Sequence, residues 1–138
     1  MAECCGTATK LIYACSGAAD VGEIADQVAR KLRSEEFAKM TCLAGIGAGL
    51  SGYVQSAKGA DENITIDGCS VACAKKTLEK IGVKPNAYIL TDLGLVKGES
   101  PVAEKTVKQI SDLIKRMKGS PVPPAQMGTC GCSCGSKC

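Results

Sequence analysis

The sequence Ile-Asp-Gly-Cys-Ser-Val-Ala-Cys, residues 66–73, marks a change from one hydrophobic pattern to another. The apolar run before it, residues 63–66, is typical of a buried strand, and apolar residues recur at helical spacing after it. We therefore predict a strand, an acidic turn and a helix that opens with Cys69 and Cys73. Cysteines four apart on a helix lie one turn apart, so the pair could bind one metal ion, exchange a disulfide or simply be buried in the core.

Three other segments have strand character. They are the apolar runs 10–14, 38–43 and 87–90. Each is separated from the next by a segment long enough for a crossover helix, and parallel strands require such crossovers. The prediction is an α/β fold: a small three-layer doubly wound domain with a mainly parallel four-stranded sheet, plus a Cys-rich C-terminal tail.

Helical periodicity fills the segments between these strands. We predict one helix capped by Asp20 with Glu23 three residues on, and a weaker one that ends near Lys58. The last helix is predicted to have Ser100 as its cap and Pro101 as its first residue.

Four cysteines are predicted to meet at one edge of the sheet. Cys15, Cys42 and Cys69 each stand at or just after the end of a different predicted strand, and Cys73 follows one turn later. Doubly wound sheets bind ligands beyond the carboxyl ends of their strands. A shared thiolate site is therefore the leading interpretation of these residues.

The composition narrows the chemistry of such a site. There are ten cysteines and no histidine among 138 residues, so a metal site here has to use thiolates, with carboxylates as the other candidate ligands. The chain lacks tryptophan and its net charge is +3, so we expect no nucleic-acid partner.

The chain shows neither a signal-peptide pattern nor an apolar run long enough to span a bilayer. We therefore expect a cytoplasmic protein with no membrane partner. In that compartment, cysteines more often bind metals or do redox chemistry than form structural disulfides.

The ends of the chain differ from its middle. We divide it into an irregular lead (residues 1–9), the α/β domain (10–118) and a Pro-rich linker with a Cys-rich tail (119–138). The two ends could form a second thiolate cluster, the tail could return to the first site, or the tail could be a disordered thiol-rich end with adventitious metal affinity. The cysteines of this second cluster are Cys4, Cys5, Cys130, Cys132, Cys134 and Cys138.

The order of three motifs resembles the DGC domain family, small prokaryotic proteins described as zinc-binding. These motifs are Ala-Cys-Ser-Gly at 14–17, the single Cys42, and Asp-Gly-Cys-x-x-x-Cys-Ala-Lys-Lys at 67–76. The resemblance covers about residues 10–118 and implies an α/β domain with a four-cysteine site, here Cys15, Cys42, Cys69 and Cys73.

Several functions remain open at this point. The first is zinc binding, with Asp67 as a helix cap or a hydrogen-bond partner of a ligand rather than a ligand itself. The same cysteines could instead carry an iron–sulfur cluster or do thiol redox or sulfur-transfer chemistry, with Cys69 or Cys15 as nucleophile and Cys73 as resolving thiol. A Gly-x-Gly-x-x-Gly run at 47–52 suggests a nucleotide loop. The sequence does not indicate whether the protein catalyses a reaction.

Overall fold

The computed structural model of the protein describes residues 8–118. Its sheet contains the strands β1 (Lys10–Ala14), β2 (Lys39–Met40), β3 (Glu62–Asp67) and β4 (Asn86–Ile89). The strands are all parallel and lie in the order β2-β1-β3-β4. The predicted α/β class and its parallel four-stranded sheet are confirmed.

In the described part of the chain, five helices cover the sheet. They are α1 (Asp20–Ser34), α2 (Leu43–Gly47), α3 (Ser51–Gly59), α4 (Cys73–Lys80) and α5 (Glu104–Met117), and a 3-10 turn occupies Leu90–Leu93. None of the helices within residues 8–118 is both long and apolar enough to cross a membrane.

Side chains alternate between the two faces of the sheet along each strand, and this divides the core into two layers. Ile12 of β1 and Ile64 of β3 pack under α1 and α5, while Leu11 and Tyr13 pack with residues of α2, α3 and α4 on the opposite face. Neighbouring residues of a strand point to opposite faces, so a strand covered on both sides must be apolar almost throughout. This explains the continuous apolar run of β1.

The helix that carries the cysteines begins later than predicted. Its first residue is Cys73, and Cys69 lies in the preceding turn, where its carbonyl accepts a hydrogen bond from the Ala72 N–H at 3.0 Å. Ala72 has a left-handed backbone (φ 54°), which ends the turn and prevents a continuous helix from Cys69. The prediction that both thiols share one helix face is therefore wrong.

The second strand is shorter than its apolar run. It comprises two residues, and the chain then turns at Cys42 into α2, so the predicted strand 38–43 is wrong at its end. The glycine run at 47–52 consequently joins α2 to α3, with Gly49 at φ +70°. A nucleotide loop would connect a strand directly to a helix. The structural context predicted for that motif is absent from this segment.

Two predicted helix caps have other partners. Asp20 is the first residue of α1 rather than its cap, and its carboxylate accepts hydrogen bonds from the N–H groups of Gly98 (2.8 Å) and Ser100 (2.9 Å). The Ser100 hydroxyl exchanges hydrogen bonds with the backbone of Val96, and α5 begins only at Glu104. These contacts fasten residues 94–100, the Lys97 loop, to the start of α1.

Candidate functional site

The four predicted ligand cysteines all lie at the carboxyl edge of the sheet. Cys15 follows β1, Cys42 precedes α2, Cys69 follows β3 and Cys73 opens α4. All four are free thiols; Cys15 and Cys69 are half-buried, whereas Cys42 and Cys73 are exposed. Because β1 and β3 are neighbours on either side of the point where the strand order reverses, their loops flank the place where doubly wound sheets bind ligands.

The loops after β1 and β3 touch through a sulfur atom. The backbone N–H of Gly68 donates a hydrogen bond to Cys15 Sγ, with an N to S distance of 3.3 Å. A Cβ atom at Gly68 would lie 2.7 Å from the backbone carbon of Val21 and 2.8 Å from the nitrogen of Gly22. Only glycine lets β3 approach α1 this closely, which explains the middle residue of the Asp-Gly-Cys motif.

Asp67 joins β3 to the beginning of α4. Its side chain is 1% exposed, and its two oxygens accept hydrogen bonds from the N–H groups of Ala74 (2.7 Å) and Lys75 (3.1 Å). These are the second and third residues of α4, so Asp67 satisfies the donors that an N-cap residue normally satisfies. Burial raises the pKa of Asp67, and the two backbone N–H groups act in the opposite direction.

A lysine that the sequence analysis did not identify stands over Cys69. Lys97 Nζ lies 3.9 Å from Cys69 Sγ, and Asp20 holds the loop that carries this lysine. The N–H of Gly98 is the main cause of a lowered pKa at Asp20. Gly94 and Gly98, both with positive φ, bracket Lys97. This pair of glycines around a lysine is the feature of the sequence that could have indicated a functional loop.

A cavity of about 820 Å³ opens beside Cys15. Cys42 also lines it, together with Tyr53 and the ion pair in which Arg30 Nε lies 2.7 Å from an Asp26 oxygen. Cys69 and Cys73 are not part of its lining. The structure therefore brings Cys15 to a common cavity with Cys42, and to hydrogen-bond contact with the residue before Cys69.

Backbone strain accompanies two of the cysteines. Ser16, directly after Cys15, has φ 47°, and Ala72, directly before Cys73, has φ 54°. Left-handed conformations cost free energy in residues with a side chain, and they concentrate at functional sites. A third such residue, Glu36 (φ 56°), follows α1 away from these cysteines, so left-handed residues also occur elsewhere in the domain.

The thiols suit a soft metal ion chemically, but they do not form a closed ligand set. Within residues 8–118, no three cysteine, aspartate or glutamate side chains lie close enough together to hold one ion. The cysteines predicted for a second cluster, Cys4, Cys5 and those of the tail, fall outside the described residues.

Comparison with known proteins identifies relatives of this chain. A family model described as the DGC domain matches residues 11–115. The anaerobic and virulence modulator AnvM of Pseudomonas aeruginosa is 34% identical over 88 residues, which cover 63% of this chain and 67% of that protein. No solved structure matches. Because the family model spans most of the folded domain, the chain belongs to the DGC domain family.

Proposed function

We propose that the protein binds a zinc ion through thiolates at the carboxyl edge of its sheet, with Cys15, Cys42, Cys69 and Cys73 as the ligands. The observation that carries the proposal is the hydrogen bond from the Gly68 N–H to Cys15 Sγ. Backbone donors aimed at sulfur stabilise the negative charge of metal-bound thiolates.

The surroundings of Cys69 support the same chemistry. A zinc ion with four thiolates carries a net charge of −2, which needs compensation by nearby positive groups. Lys97 Nζ, 3.9 Å from Cys69 Sγ, supplies one such charge. Four sulfur ligands would close the coordination sphere, as in structural zinc sites.

The proposal requires the thiols to move together when the ion binds. Cys42 and Cys73 are exposed, so their side chains can change rotamer without disturbing the core. Thiolates also oxidise readily, which fits a modulating role of the kind named for the relative AnvM.

Metal analysis of two full-length variants tests the proposal. In the first variant, serine replaces the six cysteines of the two chain ends; in the second, it replaces Cys15, Cys42, Cys69 and Cys73. Protein purified without oxygen is analysed for zinc and iron and by absorption spectroscopy. We expect about one zinc ion per chain in the first variant, because it retains the core thiols.

The possible results separate the competing functions. Loss of this zinc when Cys15→Ser or Cys69→Ser is added to the first variant supports the proposal. A weaker affinity for zinc in Lys97→Met, with an unchanged affinity in the control Lys105→Met, also supports it. Iron in the sample together with a broad visible absorption band would indicate an iron–sulfur cluster in place of zinc. Absence of any metal from the first variant would overturn the proposal and favour thiol redox chemistry.

A further inference from the structure

The cavity beside Cys15 contains groups that the proposed zinc site does not use. Its volume of about 820 Å³ lies within the range of small-molecule binding pockets in proteins. Its lining combines apolar side chains, such as Met40 and Leu43, with the thiols of Cys15 and Cys42 and with one cationic side chain, Arg30. We call it the thiol cavity.

Arg30 brings unused hydrogen-bond donors to the thiol cavity. Its Nε lies 2.7 Å from Asp26 Oδ2, and the Ser16 hydroxyl donates a hydrogen bond of 2.9 Å to Asp26 Oδ1. Within residues 8–118, the two terminal nitrogens of the Arg30 guanidinium have no hydrogen-bond partner. These nitrogens form a planar fork of N–H donors that matches the two oxygens of a carboxylate. The contact with Asp26 therefore holds the guanidinium in place and leaves its fork available to a ligand.

Cys42 supplies a reactive group at the same cavity. Its thiol is free and exposed, and it makes no capping hydrogen bond to α2, although Cys42 stands at the N-cap position of that helix. Cys15, by contrast, is half-buried, and its sulfur accepts the hydrogen bond from the Gly68 N–H. The rate at which a thiol attacks a disulfide depends on access to the sulfur atom. Cys42 is therefore the thiol of this cavity that an incoming molecule reaches more easily.

The arginine fork and the exposed thiol together indicate one class of ligand. A carboxylate pairs with the fork, and a disulfide exchanges with the thiol. Small disulfides formed from thiol peptides or thiol amino acids carry both groups. We propose that the thiol cavity binds small disulfides that bear carboxylates, with a carboxylate of the ligand paired to Arg30 and its disulfide bond exchanging with Cys42.

The exchange needs no further reactant. The Cys42 thiolate attacks one sulfur of the ligand, so a bond forms between that sulfur and Cys42 Sγ while the S–S bond of the ligand breaks. The other half of the ligand leaves with the electron pair of the broken bond and takes up the proton that Cys42 released. Cys42 is thereby oxidised to a mixed disulfide, and the departing half is reduced to a thiol.

The mixed disulfide also links this cavity to the zinc site, a consequence that rests on the proposed function. A metal ligand has to be a thiolate, and a sulfur atom in a disulfide is not one. Exchange at Cys42 therefore lowers the affinity for zinc, and bound zinc protects Cys42 from exchange. The exchange itself does not depend on zinc.

Exchange kinetics of the full-length chain test the proposal. The variant in which serine replaces the six cysteines of the two chain ends is incubated, in buffer with a chelator, with oxidised glutathione or with the uncharged bis(2-hydroxyethyl) disulfide. Mass spectrometry of the digested protein gives the initial rate of mixed-disulfide formation at each remaining cysteine. We expect the preference for oxidised glutathione over the uncharged reagent to be at least about threefold greater at Cys42 than at Cys73, the other exposed thiol.

Variants of Arg30 test the contact with the carboxylate. Arg30→Met should slow the exchange of Cys42 with oxidised glutathione about two- to fivefold and leave the rate with the uncharged reagent nearly unchanged. Arg33→Met, on the same helix but outside the lining of the thiol cavity, is the matched control for the loss of one positive charge. Because Arg30→Met leaves Asp26 unpaired, the double variant with Asp26→Asn is measured beside it and should show the same loss. Circular dichroism reports whether each variant is folded.

Three results would overturn the proposal. They are an equal preference for oxidised glutathione at Cys42 and Cys73, an unchanged rate in the Arg30 variants, and an equal loss of rate with both reagents. Exchange that depends on Arg30 but is not slowed by one zinc ion per chain would support the proposal and count against Cys42 as a zinc ligand. Failure of the zinc site and failure of the thiol cavity are therefore distinguishable.

Discussion

Replacement of Asp67 tests how β3 fixes the start of α4. Asp67→Ala removes two charge-assisted hydrogen bonds, each with a net value of about 1.5 kcal/mol. It also leaves the N–H of Ala74, a residue with 0% exposure, without its acceptor. Burial of the charged carboxylate offsets part of this loss. We therefore expect Asp67→Ala to lower the free energy of unfolding by about 2–3 kcal/mol.

Asp67→Asn should cost less, about 1–2 kcal/mol, because the amide oxygen can still accept one of the two hydrogen bonds. Urea unfolding followed by far-UV circular dichroism, in buffer with a chelator, measures both changes without a contribution from bound metal. Asp92→Asn, at an exposed position in the 3-10 turn, is the control and should stay within about 0.5 kcal/mol of the natural protein. If both Asp67 variants also stay within that margin, the capping role is refuted.

Three further predictions concern the backbone and the response to acid. Gly68→Ala should lower the free energy of unfolding by at least about 2 kcal/mol, because the new Cβ would lie 2.7 Å from a backbone atom of α1. Gly47→Ala is the control: a Cβ there would meet nothing within 4 Å, so the free energy of unfolding should change by less than about 1 kcal/mol. Equal melting temperatures for the two variants would contradict this prediction. Glu36 has φ 56°, so Glu36→Gly should raise the free energy of unfolding by about 1 kcal/mol in urea titrations, and a decrease would argue against strain there. The Gly98 N–H lowers the pKa of Asp20, so this carboxylate stabilises the fold above its unfolded pKa of about 4, and its contribution is lost as the pH falls through the folded pKa. Asp20→Asn should therefore make the free energy of unfolding depend less on pH on the acid side. Parallel curves of the free energy of unfolding against pH for the two proteins would contradict the assignment.

The strands and the longest helix follow from local sequence patterns. β1 and β3 are runs of buried residues, and the α1 residues Val21, Ile24, Val28 and Leu32 are buried at helical spacing. Both patterns depend on neighbours within a few positions, which a single sequence contains. The prediction that the cysteines follow strand ends rests on these same elements.

The boundaries near the site depend on distant contacts. The start of α4 is set by Asp67, which lies in a strand and reaches over a five-residue turn. Lys97 reaches Cys69 across 28 positions, and Asp20 binds the Gly98 N–H across 78. Sequence periodicity contains no information about such pairs. For this reason local patterns do not single out Lys97, and they predict both Asp20 and Ser100 as helix caps.

The lengths of the outer strands affect how the protein behaves at high concentration. In the sheet of residues 8–118, β2 and β4 occupy the two borders and have two and four residues. A border strand exposes backbone donors and acceptors that can pair with another molecule and begin aggregation. Two and four residues provide few such groups, while the longer strands β1 and β3 are enclosed between neighbours. The borders of the described sheet therefore offer few backbone groups for edge-to-edge pairing between copies of the protein.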